Sequence, residues 1–177
     1  MPVLDLMDLT RALPRRTPLV GLDLGTRTIG VSVSDTSLTI ASPLGLIRRS
    51  KFTHDVEALF GLMGERGAGA LVIGLPVNMD GTEGPRCQSA RAFGRHLLRI
   101  RDLPIGYWDE RLSTAAVNRV LIDEADRSRR RRSELVDALA ATWILQGALD
   151  RMAAPQTGGE TGGDVGDGGF DGNRPRA

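Results

Sequence analysis

Hydrophobic and polar positions along the chain follow two periods, and the switches between them mark out its elements. Residues 1–17 (MPVLDLMDLTRALPRRT) show only weak periodicity and close on Pro14 and the pair Arg15–Arg16, which predicts a weakly ordered leader. From Pro18 the pattern tightens. PLVGLDLG is a short apolar run ended by glycine, the mark of a first strand. TIGVSVSD alternates with period two, placing Ile29, Val31 and Val33 on one face and Gly30, Ser32 and Ser34 on the other. A third strand is expected from Leu38 to Leu44, close enough for the three to form an antiparallel meander. Thr53 predicts a helix cap ahead of Val56, Leu59, Phe60 and Met63 at helical spacing. Ala70–Leu75 reads as a buried strand, Pro85 opens a helix with Ala90, Phe93, Leu97 and Leu98 inward, and Ile105–Glu110 is a fifth strand. Ser113 or Thr114 is expected to cap another helix, and Ser133–Met152 to form the last. Three strands followed by strand–helix alternation predict an α/β domain over residues 18–152, a mixed sheet with helices on both faces. Residues 153–177 are Gly-rich and acidic with one aromatic, Phe170, and are expected to be a disordered tail.

Composition narrows the setting. A chain of 177 residues with 41% hydrophobic and 25% charged positions accommodates one ordinary globular domain. No apolar run approaches the roughly 20 residues needed to span a bilayer, and acids interrupt the apolar residues of the N-terminus, unlike a secretory signal. The single Cys87 excludes an internal disulfide framework and suits a reducing compartment, so a cytoplasmic location is expected. The net charge of +1 is unevenly spread: four acids against two arginines give the last 25 residues −2, leaving +3 on residues 1–152. Nearly all of the positive charge is arginine, Lys51 being the sole lysine, and arginine suits bidentate phosphate contacts.

Three acids stand where acids are unexpected. Asp23 interrupts an apolar strand, where a carboxylate faces a desolvation cost of several kcal/mol unless a metal ion, backbone N–H groups or an arginine compensates it. On the last helix Thr142, Gln146 and Asp150 share a polar stripe, while Asp137 falls nearly opposite, beside Ala141, Ile144 and Ala148. The fifth strand ends in Asp109-Glu110-Arg111. Neighbouring strand residues point to opposite faces, so one of the two acids can face a site while the other pairs with Arg111 or meets water. Asp23, Glu110 and Asp137 together form a carboxylate set suited to a hard cation, Mg²⁺ or Mn²⁺. His54 and His96 have no partner at a zinc-ligand spacing.

Four motifs in order, GLDLGTRTIGVSVSD (21–35), GLPVNMDGTEG (74–84), DERLST (109–114) and VDALAATWILQ (136–146), resemble the YqgF family. Its bacterial members are known as pre-16S rRNA nucleases or RuvX-type Holliday junction resolvases. The resemblance spans about residues 19–151. It implies a ribonuclease H-like fold, with five strands in the order 3-2-1-4-5, and a nuclease whose metal-binding acids are Asp23, Glu110 and Asp137. RuvC-type enzymes carry an acid near the end of the fourth strand, where this chain has Gly74-Leu75-Pro76; the fifth-strand Glu110 takes that role in the implied pattern. The mechanism implied is two-metal phosphodiester hydrolysis.

Substrate contacts are expected from Arg27 in the first hairpin turn, Asn78 in the Gly-rich loop, Arg86, Arg91 and Arg95 on the helix after it, and Arg111. The run Arg127-Ser128-Arg129-Arg130-Arg131-Arg132 precedes the Asp137 helix and is read as a basic loop whose Arg129, Arg130, Arg131 and Arg132 meet phosphate. With aromatics at 4%, base stacking along a single strand is a poor fit, and structured RNA or branched DNA is the expected partner. Processing of the 5′ end of pre-16S rRNA is the first reading, and resolution of four-way DNA junctions the second. A non-catalytic RNA-binding assembly factor is the third. An actin-like kinase or ATPase shares the Gly-Asp-Gly hairpin but needs two related domains, and this chain has one. The chain is expected to be a monomer or weak homodimer.

Overall fold

The computed structural model describes residues 3–112 and 129–154, the side chains of residues 129–137 excepted. Short connections and period-two alternation make β1 (Leu19–Leu24), β2 (Thr28–Ser34) and β3 (Ala41–Arg48) the expected antiparallel meander. β4 (Ala70–Leu75) pairs parallel with β1, and β5 (Ile105–Asp109) parallel with β4. The sheet order is therefore β3-β2-β1-β4-β5, the order the resemblance implies. Four described helices accompany it: α1 (Leu6–Leu9), α2 (Phe52–Arg66), α3 (Pro85–Ile100) and α4 (Arg129–Ala153), with a 3₁₀ turn at Glu110–Leu112.

Alternation sorts the sheet residues between two cores. Val20, Leu22, Ile29, Val31, Leu71 and Ile73 point to one face and pack with Leu59 and Met63 of α2 and Phe93 and Leu97 of α3. Leu19, Ala70, Val72 and Trp108 point to the other and pack with Leu9 of α1 and Ile144, Leu145, Ala148 and Leu149 of α4. The second face explains why β2 carries Gly30, Ser32 and Ser34. These positions read as a polar surface, yet Ser32 and Ser34 are buried beneath α4. Their hydroxyls are satisfied there: Ser32 Oγ donates to the Ala141 carbonyl at 2.8 Å, and Ser34 Oγ accepts the Leu19 N–H at 2.9 Å. A Cβ on Gly21 would stand 2.6 Å from Leu145 Cβ and 3.0 Å from the Ala141 carbonyl oxygen, so the missing side chain lets α4 lie directly on the backbone of β1.

Several boundaries differ from the expected ones. Residues before Pro18 do not behave as a weakly ordered leader: Leu9 is fully buried, Leu4 N–H donates to the Ile105 carbonyl at 2.9 Å, and Val3 bridges β5. Their apolar residues cover the edge of the sheet that α4 leaves open. The third strand begins at Ala41 rather than Leu38, because Asp35 caps a turn by accepting the Thr39 and Ile40 N–H groups at 2.7 and 2.9 Å. Leu38 takes a left-handed conformation inside that turn, φ 56°. Helix α2 starts one residue before Thr53 with no side-chain cap; buried Asp55 instead reaches back to the Ser50 N–H at 2.9 Å. β5 ends at Asp109, and Glu110 opens the 3₁₀ turn. α4 starts at Arg129 rather than Ser133, so the expected basic loop is helical from Arg129 onward. The helix expected after Ser113 and most of the expected tail lie outside the described residues.

Candidate metal and nucleic-acid site

Asp23 sits at the C-terminal end of β1, on the α4 face with Leu19 and Gly21, and is only 7% exposed. Its strand neighbours carry no side chains. Gly30 is its partner on β2, and Gly74 of β4 lies one residue beyond the Leu22–Ile73 pair. Glu110 reaches the same place from β5. Its Oε1 lies 2.8 Å from where a Cβ on Gly74 would stand, a point also 2.5 Å from Ile144 Cδ1. The bare backbone of Gly74 therefore makes room for the Glu110 carboxylate between β5 and α4. Two of the three predicted acids share one face at the same end of the sheet.

The third is carried by α4. Gln146 meets the start of β3, donating to the Thr39 carbonyl at 3.0 Å and accepting the Ala41 N–H at 2.8 Å, while Ala141 lies on Gly21. Moving back along α4 thus moves toward Asp23. One turn back from Ala141 is about 6 Å of helix, and Gly21 to Asp23 is about 6.6 Å of strand; the two steps bring the backbone of residue 137 level with Asp23. The side chain of Asp137 is outside the described residues, and among those described no group of three metal-ligating side chains stands together. The polar stripe of α4 also differs from a plain solvent face, since Gln146 is half-buried against β3.

The other acid at the end of β5 is Asp109. It points away from Glu110 and is gripped by Arg111, whose Nη2 lies 2.6 Å from Oδ2 and Nε 3.0 Å from Oδ1. Arg111 Nη1 also donates to the Asn78 carbonyl at 3.4 Å. Asn78 is turned inward on its own loop: its N–H donates to the Thr82 carbonyl at 3.0 Å and its Nδ2 to Thr82 Oγ1 at 2.9 Å, with Gly81 at φ 87° closing the turn. Asn78 and Arg111, predicted as substrate contacts, thus build the loop after β4.

The Arg111 hydrogen bonds hold the Asp109 carboxyl below its ordinary value of 3.8, against the opposing effect of burial. A lowered carboxylate contributes stability that is present above its ordinary value and lost as pH falls through the lowered one. Asp109→Asn is therefore expected to flatten the decline of Tm between about pH 5 and pH 2, as followed by thermal melts. An unchanged decline would mean the pair contributes nothing.

The predicted arginines separate into two groups. Arg91 pairs with Glu83 through Nε at 2.7 Å and through Nη2, and its guanidinium lies 5.0 Å from the centre of the Tyr107 ring. It belongs with Arg95 to α3, which covers the face opposite Asp23. Arg91 is thus engaged by both a carboxylate and a ring. Arg27, Arg86 and Arg95 are exposed, and Arg129–Arg132 open α4, their side chains outside the described residues. Cys87 is fully buried. The contribution of Gly21 and Gly74 went unread in the sequence; a glycine inside an otherwise apolar strand was the signal available.

The sequence has relatives among known proteins. The family described as "RuvX: Holliday junction resolvase" matches residues 17–151. A relative from Phenylobacterium zucineum (strain HLK1), named "Putative pre-16S rRNA nuclease", is 66% identical over 153 residues, 86% of this chain and 98% of its own length. Relatives of the same name from Caulobacter vibrioides (strain NA1000 / CB15N) and Rhodospirillum rubrum are 66% and 60% identical over 86% of this chain, covering 98% and 94% of their own lengths. Among solved structures, T. thermophilus RuvC in complex with a Holliday junction substrate matches with a TM-score of 0.47 at 16% identity, over 77% of this chain and 96% of RuvC. With a family match spanning nearly all of the described domain, the chain belongs to the RuvX family.

Proposed function

We propose that this protein is a divalent-metal-dependent nuclease that processes the 5′ end of pre-16S rRNA in the cytoplasm. The observation that carries the reading is the placement of Asp23 and Glu110 on one face, across the side-chain-free backbone of Gly74, with α4 leading residue 137 to the same level. The donor set fits Mg²⁺ or Mn²⁺: these are carboxylate oxygens, two of them brought to one face of the sheet. Asp23 would contribute to holding two ions, with Glu110 and Asp137 each holding one. Ions bound there supply charge stabilisation to the scissile phosphate and activation of the attacking water. The protein's part is to fix the carboxylates on rigid strands and a rigid helix and to hold the nucleic acid against them. The names of relatives at 58–66% identity favour a pre-rRNA substrate. The family description favours a second reading, cleavage of four-way DNA junctions. No described helix is long and apolar enough to cross a membrane.

The test compares the full chain with Asp137→Asn on a labelled pre-16S fragment and a four-way DNA junction, in Mg²⁺, in Mn²⁺ and in chelator. Metal-dependent cleavage of the RNA that disappears in the variant is expected. Cleavage of the junction alone would establish the second reading. If neither is cut while both proteins bind the RNA, the chain is a non-catalytic RNA-binding factor.

A further inference from the structure

The strip of positive charge beside Asp23 joins the predicted Arg27 to cations on elements that the predicted contacts left out. Arg49 follows the end of β3, and two hydrogen bonds tie it to the β1–β2 turn: its N–H donates to the Arg27 carbonyl at 2.9 Å, and its Nη1 to the Gly25 carbonyl at 2.8 Å. Gly25 is two residues from Asp23, and its own N–H turns back to the Asp23 carbonyl at 3.2 Å. The Arg49 guanidinium is thereby fixed at the rim of the acid site, with most of its five donors left over. Arg48 pairs in register with Thr28, Lys51 follows two residues after Arg49, and Arg27 forms the turn itself. All four cations are exposed.

Arg27, Arg49 and Lys51 stand in a stretch poor in acids. Between Asp23 and Asp55 the only acid is Asp35, which caps the turn at the opposite end of β2. Asp55 is buried and accepts from Ser50. Among the described residues no carboxylate pairs with Arg27, Arg49 or Lys51, in contrast to Arg91 and Arg111, which are held by Glu83 and Asp109. A pre-set guanidinium among exposed cations on a strand edge is the chemistry of a phosphodiester backbone contact, which positions a strand without reading its sequence.

We propose that Arg49, with Arg27 and Lys51, forms a binding strip for the sugar–phosphate backbone of the nucleic acid, laying the strand across the β1–β2 turn toward Asp23. The proposal rests on the nucleic-acid reading of the same site. It adds residues after β3 and at the α2 entry, and it assigns α3 no phosphate contact.

The experiment measures binding of a labelled RNA hairpin with a single-stranded tail, in chelator, over a series of KCl concentrations. It uses the full chain, Arg27→Gln/Arg49→Gln/Lys51→Gln, and Arg99→Gln from the last turn of α3. Each lost phosphate contact lowers the slope of log K against log salt by about 0.7–0.9. The triple variant should flatten the slope by about 2 and weaken binding at low salt, while Arg99→Gln should match the unsubstituted chain. Because Arg49 also braces the turn, Arg27→Gln/Lys51→Gln, which leaves both Arg49 hydrogen bonds in place, should flatten the slope by more than 1. An unchanged slope in both multiple variants, or an equal change in Arg99→Gln, overturns the proposal. Cleavage by the unsubstituted chain is scored separately in Mg²⁺: binding that falls in the variants without any cleavage retires the nuclease and keeps the strip, whereas cleavage with unchanged slopes keeps the nuclease and retires the strip.

Discussion

Asp23→Asn is expected to abolish metal-dependent cleavage while leaving the protein folded. The amide keeps the shape of the side chain but removes the charge that holds a cation, and Asp23 is buried at the end of β1. Charge stabilisation by bound metal contributes several kcal/mol to phosphodiester hydrolysis. At 1.36 kcal/mol per tenfold, the loss should be about 1,000-fold or more in rate. Single-turnover cleavage and thermal melts in chelator read the two effects separately. A variant that retains more than about a tenth of the activity would remove Asp23 from the chemistry.

Gly21→Ala should produce the largest structural effect for a single added carbon. Its Cβ would meet Ser32 Oγ at 2.5 Å, Leu145 Cβ at 2.6 Å and the Ala141 carbonyl oxygen at 3.0 Å. None of these is the free end of a flexible side chain. Ser32 is held by its hydrogen bond to Ala141, and the other two belong to the body of α4. The helix must therefore lift from the sheet, at a cost of about 3 kcal/mol or more, which corresponds to a fall in Tm of roughly 10 °C. The same lift would move residue 137 away from Asp23, so activity should fall at temperatures where the variant is still folded. Chemical denaturation and cleavage below the transition measure both. Loss of stability with full activity would mean that the spacing of α4 from β1 does not set the site.

The division of the chain into meander, crossovers and final helix was legible because each element carries one dominant period. Val31 and Val33 alternate against Ser32 and Ser34, and the apolar residues of α3 recur at helical spacing. The candidate acids stood out by position: a carboxylate between Leu22 and Leu24 must be met by a metal ion, backbone N–H groups or an arginine. What the sequence concealed depends on through-space partners. Ser32 and Ser34 look like a solvent face until the Ala141 carbonyl and the Leu19 N–H are seen to satisfy them. The start of β3 is set by the Asp35 carboxylate, a local capping choice that outweighs the apolar pattern from Leu38. The leader carries too short a helix for periodicity to register, yet Leu9 is fully buried against the second core. Arginines are the least legible of all. Arg91, Arg111 and Arg49 look alike in sequence, and only the structure separates the two held by carboxylates from the one anchored on a turn carbonyl.

The central claim is that Asp23 and Glu110, and not Asp109, belong to one cation site. Titration of Mn²⁺ into the full chain, followed by its electron paramagnetic resonance signal, tests it without any substrate. Asp23→Asn and Glu110→Gln should each weaken Mn²⁺ binding by about tenfold or more, while Asp109→Asn should bind as the unsubstituted chain does. Binding that survives Glu110→Gln and falls with Asp109→Asn would contradict the account.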